Sequence, residues 1–153
     1  MPGASLAGVF AWVRRGAAGA AEILLLVGVP VLVWWLALGW DWSVVPAGAP
    51  DTYRDPHTGL DWGLVYLAAV ASVGWLAARG RAVLAPFAVA LPLVALSGWR
   101  MAVAEVVGAN LWPVGLAVVV VTLGLACAVA ALLGAWARRR AAAQPPMTRD
   151  DPR

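Results

Sequence analysis

The chain has 153 residues, of which 63% are hydrophobic and 12% are charged, and its net charge is +3. A soluble domain is typically about 45–50% apolar and about 25% charged, so this composition favours a membrane protein over a soluble domain. The basic residues adjoin apolar stretches, which indicates contact with anionic lipid rather than with nucleic acid. The single cysteine, Cys127, excludes an internal disulfide, a redox pair of cysteines and a cysteine-based zinc site.

The N-terminal region predicts a surface helix followed by a membrane span. Residues 1–16 place apolar side chains at helical spacing ahead of two arginines, so we expect a short interfacial helix at the cytoplasmic surface. The first span is predicted over residues 17–38, with Pro30 in its middle. A cleaved signal peptide is the alternative, but no small-residue cleavage site follows the apolar run. The tryptophans that crowd the far end of this span and mark the outer interface are Trp34, Trp35, Trp40 and Trp42.

Residues 39–61 form a polar outer connection, whose prolines and glycines argue against regular structure over most of its length. Four aspartates accompany a single arginine, which makes this the least basic loop and predicts an external position. We interpret its polar side chains as a solvated acidic loop tied together by ion pairs. A divalent cation site is the alternative, although no fixed-spacing motif supports it, so we predict no metal and no other cofactor. The members of this outer-loop polar cluster are Asp55, His57, Asp61, Arg100 and Glu105.

Two further spans follow and are joined by a basic turn. The second span is predicted over residues 62–78 and ends at residues 79–81, Arg-Gly-Arg, which mark the cytoplasmic side. The third span is predicted over residues 82–99 and is interrupted by two prolines. Residues 101–110 are then expected to form a short outer connection.

The fourth span, residues 111–136, contains no charged residue and is followed at once by three arginines, at residues 138–140. At about 1.5 Å per residue it is long enough to cross a hydrocarbon core of about 30 Å as one helix. Residues 141–153 are polar and are predicted to be disordered. Small residues spaced by four allow close helix packing within the bundle or with a partner. This small-residue ridge consists of Ala126, Ala130 and Gly134.

Arginine positions set the expected topology. Nine of the eleven arginines fall on one side of the four predicted spans and two on the other. We therefore predict an all-α polytopic membrane protein, with four transmembrane helices in an up-down bundle and both termini cytoplasmic. The exclusive use of arginine, with much alanine, glycine and valine, suggests a GC-rich bacterial coding sequence, so we expect the bacterial inner (plasma) membrane.

Glu22 is an acidic residue about two turns inside the first span. An ionised carboxylate in hydrocarbon is costly, so it needs a partner charge or water. Arg14 lies on nearly the same helical face, and Arg79 and Arg81 lie at the same membrane level. The two interpretations are a structural ion pair and a site that couples protons or cations to transport. Four helices with an acidic residue in the first resemble the outline of the small multidrug resistance family, but the outer connection is longer and no motif matches in the later spans.

The sequence argues against several enzyme classes. One histidine cannot supply both axial ligands of a bis-histidine haem, and neither a serine–histidine–aspartate motif nor a glycine-rich phosphate loop is found. We therefore expect a non-enzymatic accessory, assembly or interaction subunit of a bacterial membrane complex. Its expected partners are the lipid bilayer and either another membrane protein or a second copy of the chain. The alternative is a small oligomeric proton- or cation-coupled transporter that uses Glu22.

Overall fold

The computed structural model confirms an all-α protein with four helices that are long and apolar enough to cross a membrane. The backbone is described over residues 6–40, 45–46, 53–54, 57–104 and 112–143. Within this set, side chains are described for residues 19–40, 57–104 and 112–143.

Helix α1, Leu6–Leu38, is one continuous element of 33 residues. The predicted interfacial helix and the predicted first span are therefore joined without a break. Residues 16–21, at the junction of the two, read GAAGAA. They contain no proline and their alanines favour helix, so nothing there ends the helix. At the far end, the Gly39 amide donates to the Trp35 carbonyl oxygen at 3.0 Å and closes the last turn.

The connection after α1 contains a short antiparallel ladder. Strands β1, Val45–Pro46, and β2, Tyr53–Arg54, pair with Val45 opposite Arg54. A proline is tolerated here because each strand of a two-stranded ladder has an unpaired edge.

Helix α2, Gly59–Leu76, begins at a capping box. The Thr58 hydroxyl accepts from the Asp61 amide at 3.4 Å, and the Asp61 carboxylate accepts from the Thr58 amide at 2.7 Å. The helix runs into a π-helical turn, Ala77–Arg81, in which Gly80 has φ 90°. That left-handed conformation is readily accessible only to glycine, so Gly80 is the residue that lets the chain reverse.

Helix α3, Leu84–Val103, extends four residues beyond the predicted third span. Pro86 does not interrupt it, because the first four amide groups of a helix have no intrahelical acceptor in any case. Pro92 lies inside the helix.

Helix α4, Trp112–Ala143, has 32 residues. At about 1.5 Å per residue it is longer than a hydrocarbon core of about 30 Å. The helix therefore continues through the three arginines into the first residues of the tail that was predicted to be disordered. The rest of that tail, residues 144–153, lies outside the described part of the chain.

The four helices form an up-down bundle. Helix α2 packs between α1 and α4, while α3 packs mainly against α4 and less extensively against α1 and α2. Two close contacts define one end of the bundle: a Cβ added at Gly19 would lie 3.0 Å from Arg81 Nη2, and the Arg138 side chain lies against Gly80. The start of the α1 span, the α2–α3 turn and the end of α4 thus share one end. We call this the basic end, after Arg79, Arg81 and Arg138–Arg140.

The interior and the exterior of the bundle are both apolar. Buried side chains of the interior include Trp34, Leu76, Leu93 and Leu123. Many leucines and valines face outward, including Leu24 at 73% exposure and Leu132 at 71%. Such a surface is unfavourable in water and matches the hydrocarbon of a bilayer.

Candidate functional site

Glu22 lies at the centre of a charged and aromatic cluster at the basic end. Its Oε1 accepts a hydrogen bond from Trp75 Nε1 at 3.0 Å and lies 3.7 Å from Arg79 Nε. Its Oε2 lies 3.6 Å from Arg81 Nη1. The Arg79 guanidinium also stands over the Trp75 ring, 5.3 Å from its centroid. One carboxylate therefore ties α1 to the end of α2 and to the turn that follows.

The surroundings of Glu22 compensate its charge. Its side chain is 27% exposed, while those of Arg79 and Arg81 are 59% and 32% exposed. Two nearby guanidinium groups offset the penalty of placing a carboxylate within an apolar span. Because all three side chains are partly exposed, these ion pairs contribute only modestly to the stability of the bundle. The Arg14 side chain lies outside the described residues, so a pair between Glu22 and Arg14 stays a prediction.

Two members of the predicted outer-loop polar cluster have local structural roles. Asp61 caps α2, since it accepts from the Thr58 amide and, at 2.8 Å, from the Thr58 hydroxyl. Arg100 Nη2 donates to the Trp40 carbonyl oxygen at 3.0 Å, and its guanidinium lies 5.8 Å from the centroid of the Trp99 ring. Arg100 thus joins the ends of α1 and α3 that lie away from the basic end.

Of the remaining members, the structure describes only His57. His57 directly precedes the Thr58 cap, whereas Asp55 and Glu105 lie outside the described residues. Within the described ranges, no group of three or more histidine, cysteine, aspartate or glutamate side chains is placed to hold a metal ion. The ion-paired outer loop stays a prediction.

The small-residue ridge faces α2. Ala130 and Gly134 are buried, and Ala126 is half-buried. A Cβ added at Gly134 would lie 2.9 Å from the Ala77 Cβ and closer still to the Gly74 carbonyl oxygen. The two helix backbones approach closely here because there is no side chain between them. This part of the ridge is therefore occupied within the bundle.

Two hydrogen-bonded contacts between helices were not predicted from the sequence. Trp34 Nε1 donates to Ser97 Oγ at 2.9 Å in the buried interior. The Tyr66 and Thr122 hydroxyls are hydrogen-bonded to each other, and Thr122 Oγ1 also donates to the Val118 carbonyl oxygen at 2.7 Å. The available signal was an isolated hydroxyl residue in an apolar span, which indicates a polar contact but not its partner.

Two grooves flank the outward face of α2, in the half of the bundle away from the basic end. The α2–α4 groove has a volume of about 670 Å³ and is lined by Gly63, Tyr66, Gly115 and Thr122, among others. The α1–α2 groove has a volume of about 610 Å³ and is lined mainly by leucine, valine and alanine. Of the two, only the α2–α4 groove contains the hydroxyl pair.

Comparison of the chain with protein-family models, with curated proteins and with solved structures finds no match. A functional proposal therefore rests on the chemistry of the chain's own residues.

Proposed function

We propose that the protein is a non-enzymatic accessory or interaction subunit of a bacterial membrane complex, and that its α2–α4 groove binds a transmembrane helix of the partner. The observation that carries this proposal is the Tyr66–Thr122 hydroxyl pair on the wall of an otherwise apolar groove. Lipid tails gain nothing from hydroxyl groups, whereas a partner helix can pack against small residues and donate a hydrogen bond to a hydroxyl oxygen. Both hydroxyl protons are already used within the bundle, so the pair offers the partner acceptors.

The shape of the groove supports the same proposal. A Cβ added at Gly63 would meet no atom within 4 Å, so the space above this glycine is open. Gly115 also lines the groove from α4, where a Cβ would meet the Met101 sulfur at 3.5 Å. The open space above Gly63 allows a second helix to approach α2 closely, and close approach drives helix association in lipid. Ala130 and Gly134 of the small-residue ridge pack within the bundle, and the α1–α2 groove contains no hydroxyl pair, so the α2–α4 groove is the better candidate for a partner.

The proposed location is the bacterial inner membrane, with the basic end and both termini on its cytoplasmic side. The support is the positive-inside bias, since nine of the eleven arginines belong to the predicted inner segments. The described arginines Arg79, Arg81 and Arg138–Arg140 gather at one end of the bundle, in keeping with that bias.

The transporter alternative has weaker support. A coupling carboxylate has to gain and lose a proton or cation during the cycle. Glu22 already has two guanidinium groups and an indole N–H beside it, so exchange would require breaking these contacts. The arrangement favours a structural ion pair over a coupling site.

The partner proposal is tested by photo-crosslinking in native membranes. A photoreactive residue at Val118, which lines the groove, is compared with one at Val129, another exposed valine of α4 outside the groove; their exposures are 57% and 53%. We expect one discrete crosslinked membrane protein from Val118 and none from Val129. The crosslink should weaken in a Thr122→Val variant, which keeps the shape and removes the hydroxyl.

Three outcomes would contradict the proposal. Equal products from both positions would show non-specific collision. A product unaffected by Thr122→Val would show that the hydroxyl pair does not recognise the partner. A product containing only two copies of this chain would identify self-association instead of a separate partner.

A further inference from the structure

A smaller cavity lies at the basic end, between the α2–α3 turn and the last turns of α4. Its volume is about 270 Å³, and its walls are Gly80, Arg138, Arg139 and several alanines. The Arg138 guanidinium lies against Gly80, since a Cβ at that position would come within 2.9 Å of Arg138 Cζ. Glycine thus serves two purposes here, because it allows the left-handed turn and leaves room for the guanidinium.

On the α4 side of the α2–α3 turn, the arginine charges are not balanced by carboxylates of the described residues. Glu22 contacts Arg79 and Arg81 on the α1 side. Arg138 and Arg139, on the α4 side, make no ion pair with any carboxylate of the described residues. Of the arginines that follow the fourth span, Arg140 is engaged differently, because its guanidinium stacks 4.0 Å from the Trp136 ring centroid.

The cavity lies at the level where lipid headgroups are expected. Trp75 and Trp136, near it on α2 and α4, are 53% and 52% exposed, as is typical of tryptophans at a membrane interface. Exposed apolar side chains continue from there toward the middle of the bundle, including Leu132 and Leu133 on α4. A ligand held in the cavity by a polar group would have an apolar surface directly beside it.

We propose that this cavity binds the phosphate group of an anionic phospholipid, with Arg138 and Arg139 as the binding residues and the acyl chains along the exposed face of α4. Guanidinium groups bind phosphate oxygens through paired, charge-assisted hydrogen bonds. The volume lies below the range of about 300–1,000 Å³ usual for sites that enclose a whole small molecule, and it suits a single headgroup. Free phosphate has the same recognition chemistry, but it would leave the neighbouring apolar surface unused.

The test measures lipid binding by the purified full-length chain. Phosphatidylglycerol and phosphatidylcholine are titrated separately into protein in a neutral detergent, and bound lipid is measured by native mass spectrometry. We expect phosphatidylglycerol to bind more tightly. Arg138→Gln should weaken the affinity for phosphatidylglycerol about 10-fold or more, because a hydrogen bond to a charged group is lost. The matched control Arg140→Gln removes one charge outside the cavity and should cost at most about 5-fold.

A second variant separates shape from charge. Ala142→Leu narrows the cavity without changing any charge, so it should also weaken phosphatidylglycerol binding. All variants should unfold at the wild-type temperature in phosphatidylcholine alone, because the substituted side chains are exposed.

Equal effects of Arg138→Gln and Arg140→Gln, with none from Ala142→Leu, would overturn the proposal in favour of general surface attraction. The assignment to lipid would be overturned by two results together. Excess inorganic phosphate would displace the bound phosphatidylglycerol, and phosphate alone would raise the unfolding temperature of the protein as much as phosphatidylglycerol does. Neither result bears on the partner-helix groove at the other end of the bundle.

Discussion

Trp34 and Ser97 join α1 to α3 through one hydrogen bond in the interior of the bundle. The indole N–H donates to the serine oxygen at 2.9 Å, and the two residues are 0% and 1% exposed. An indole N–H in an apolar interior is costly unless it has an acceptor, and Ser97 supplies one. This contact requires the Trp34 face of α1 to lie against the Ser97 face of α3.

Ser97→Ala should lower the free energy of unfolding by about 0.6 kcal/mol, the average for polar contacts between membrane helices, and by no more than about 1.7 kcal/mol. The measurement is unfolding by denaturing detergent, with Trp34→Phe and the double variant completing a double-mutant cycle. Trp35→Phe is the matched control, because Trp35 is 42% exposed. Strictly additive losses at Trp34 and Ser97 would contradict an energetic coupling between them.

The sequence predicted where the tryptophans cluster along the chain, but not which of them is buried. Their crowding was interpreted as an outer interfacial belt, and Trp35 and Trp40 are indeed exposed, at 42% and 67%. Trp34, however, is buried. Neighbouring positions on a helix point about 100° apart, so two consecutive tryptophans cannot face the same surroundings. Which of them faces inward depends on where α3 lies, and this is a property of the folded bundle.

Features set by local sequence were predictable, whereas contacts between distant helices were not. Four spans and the basic turn were predictable because apolar length and flanking arginines are local signals. The contact of Arg138 with Gly80 and the pairing of Tyr66 with Thr122 were not, since each joins residues more than 50 positions apart. Apolar spans of similar composition do not specify which helix faces which. For Glu22, the sequence offered Arg14, Arg79 and Arg81 as partners, and the structure places Arg79 and Arg81 beside it and adds Trp75, which was not predicted.

Gly134→Ala should destabilise the bundle by about 1–3 kcal/mol, as overpacking of a close contact does. The added Cβ would meet the Gly74 carbonyl oxygen and the Ala77 side chain, so α2 and α4 would have to separate. Gly124→Ala is the matched control on the same helix, because a Cβ there meets nothing within 4 Å. It should leave stability unchanged or slightly higher. Equal unfolding curves for the two variants would show that the α2–α4 approach is not tight.

Ala130→Leu should likewise force α4 away from α2, because Ala130 is 4% exposed. Leu132→Ala should have little effect, because Leu132 is 71% exposed and lipid can fill the space that the side chain vacates. The two variants are expressed to similar levels and compared with the wild type by native gel and thermal unfolding. Identical behaviour of all three would mean that this ridge contributes nothing to packing.

Glu22→Gln should fold and insert, with a loss of about 1 kcal/mol. The amide oxygen of glutamine can still accept from Trp75, so the variant removes the attraction to Arg79 and Arg81 and little else. The loss should shrink at high salt, because these groups are partly exposed. The double variant with Arg79→Gln should lose less than the sum of the single losses.

The transporter alternative predicts a different result for the same variant. Wild-type protein in liposomes would carry a pH-driven cation flux, and Glu22→Gln would abolish that flux while remaining stable. Absence of flux over a broad panel of cations, together with the salt-sensitive stability loss, would support the structural ion pair.

The orientation is tested with single cysteines and a membrane-impermeant maleimide in intact cells. Cys127 is buried among apolar side chains and is first replaced by alanine, because alanine adds no hydroxyl there. Gly80 is unsuitable as an inner reporter, since its φ of 90° would strain a cysteine. Ala141 is exposed, and its replacement keeps every arginine that sets the topology.

We expect labelling at His57→Cys in intact cells, and at Ala141→Cys only after permeabilisation. His57 and Ala141 lie at opposite ends of the bundle, so the reverse pattern would invert the proposed orientation. Labelling of both in intact cells would contradict a bundle that spans the membrane.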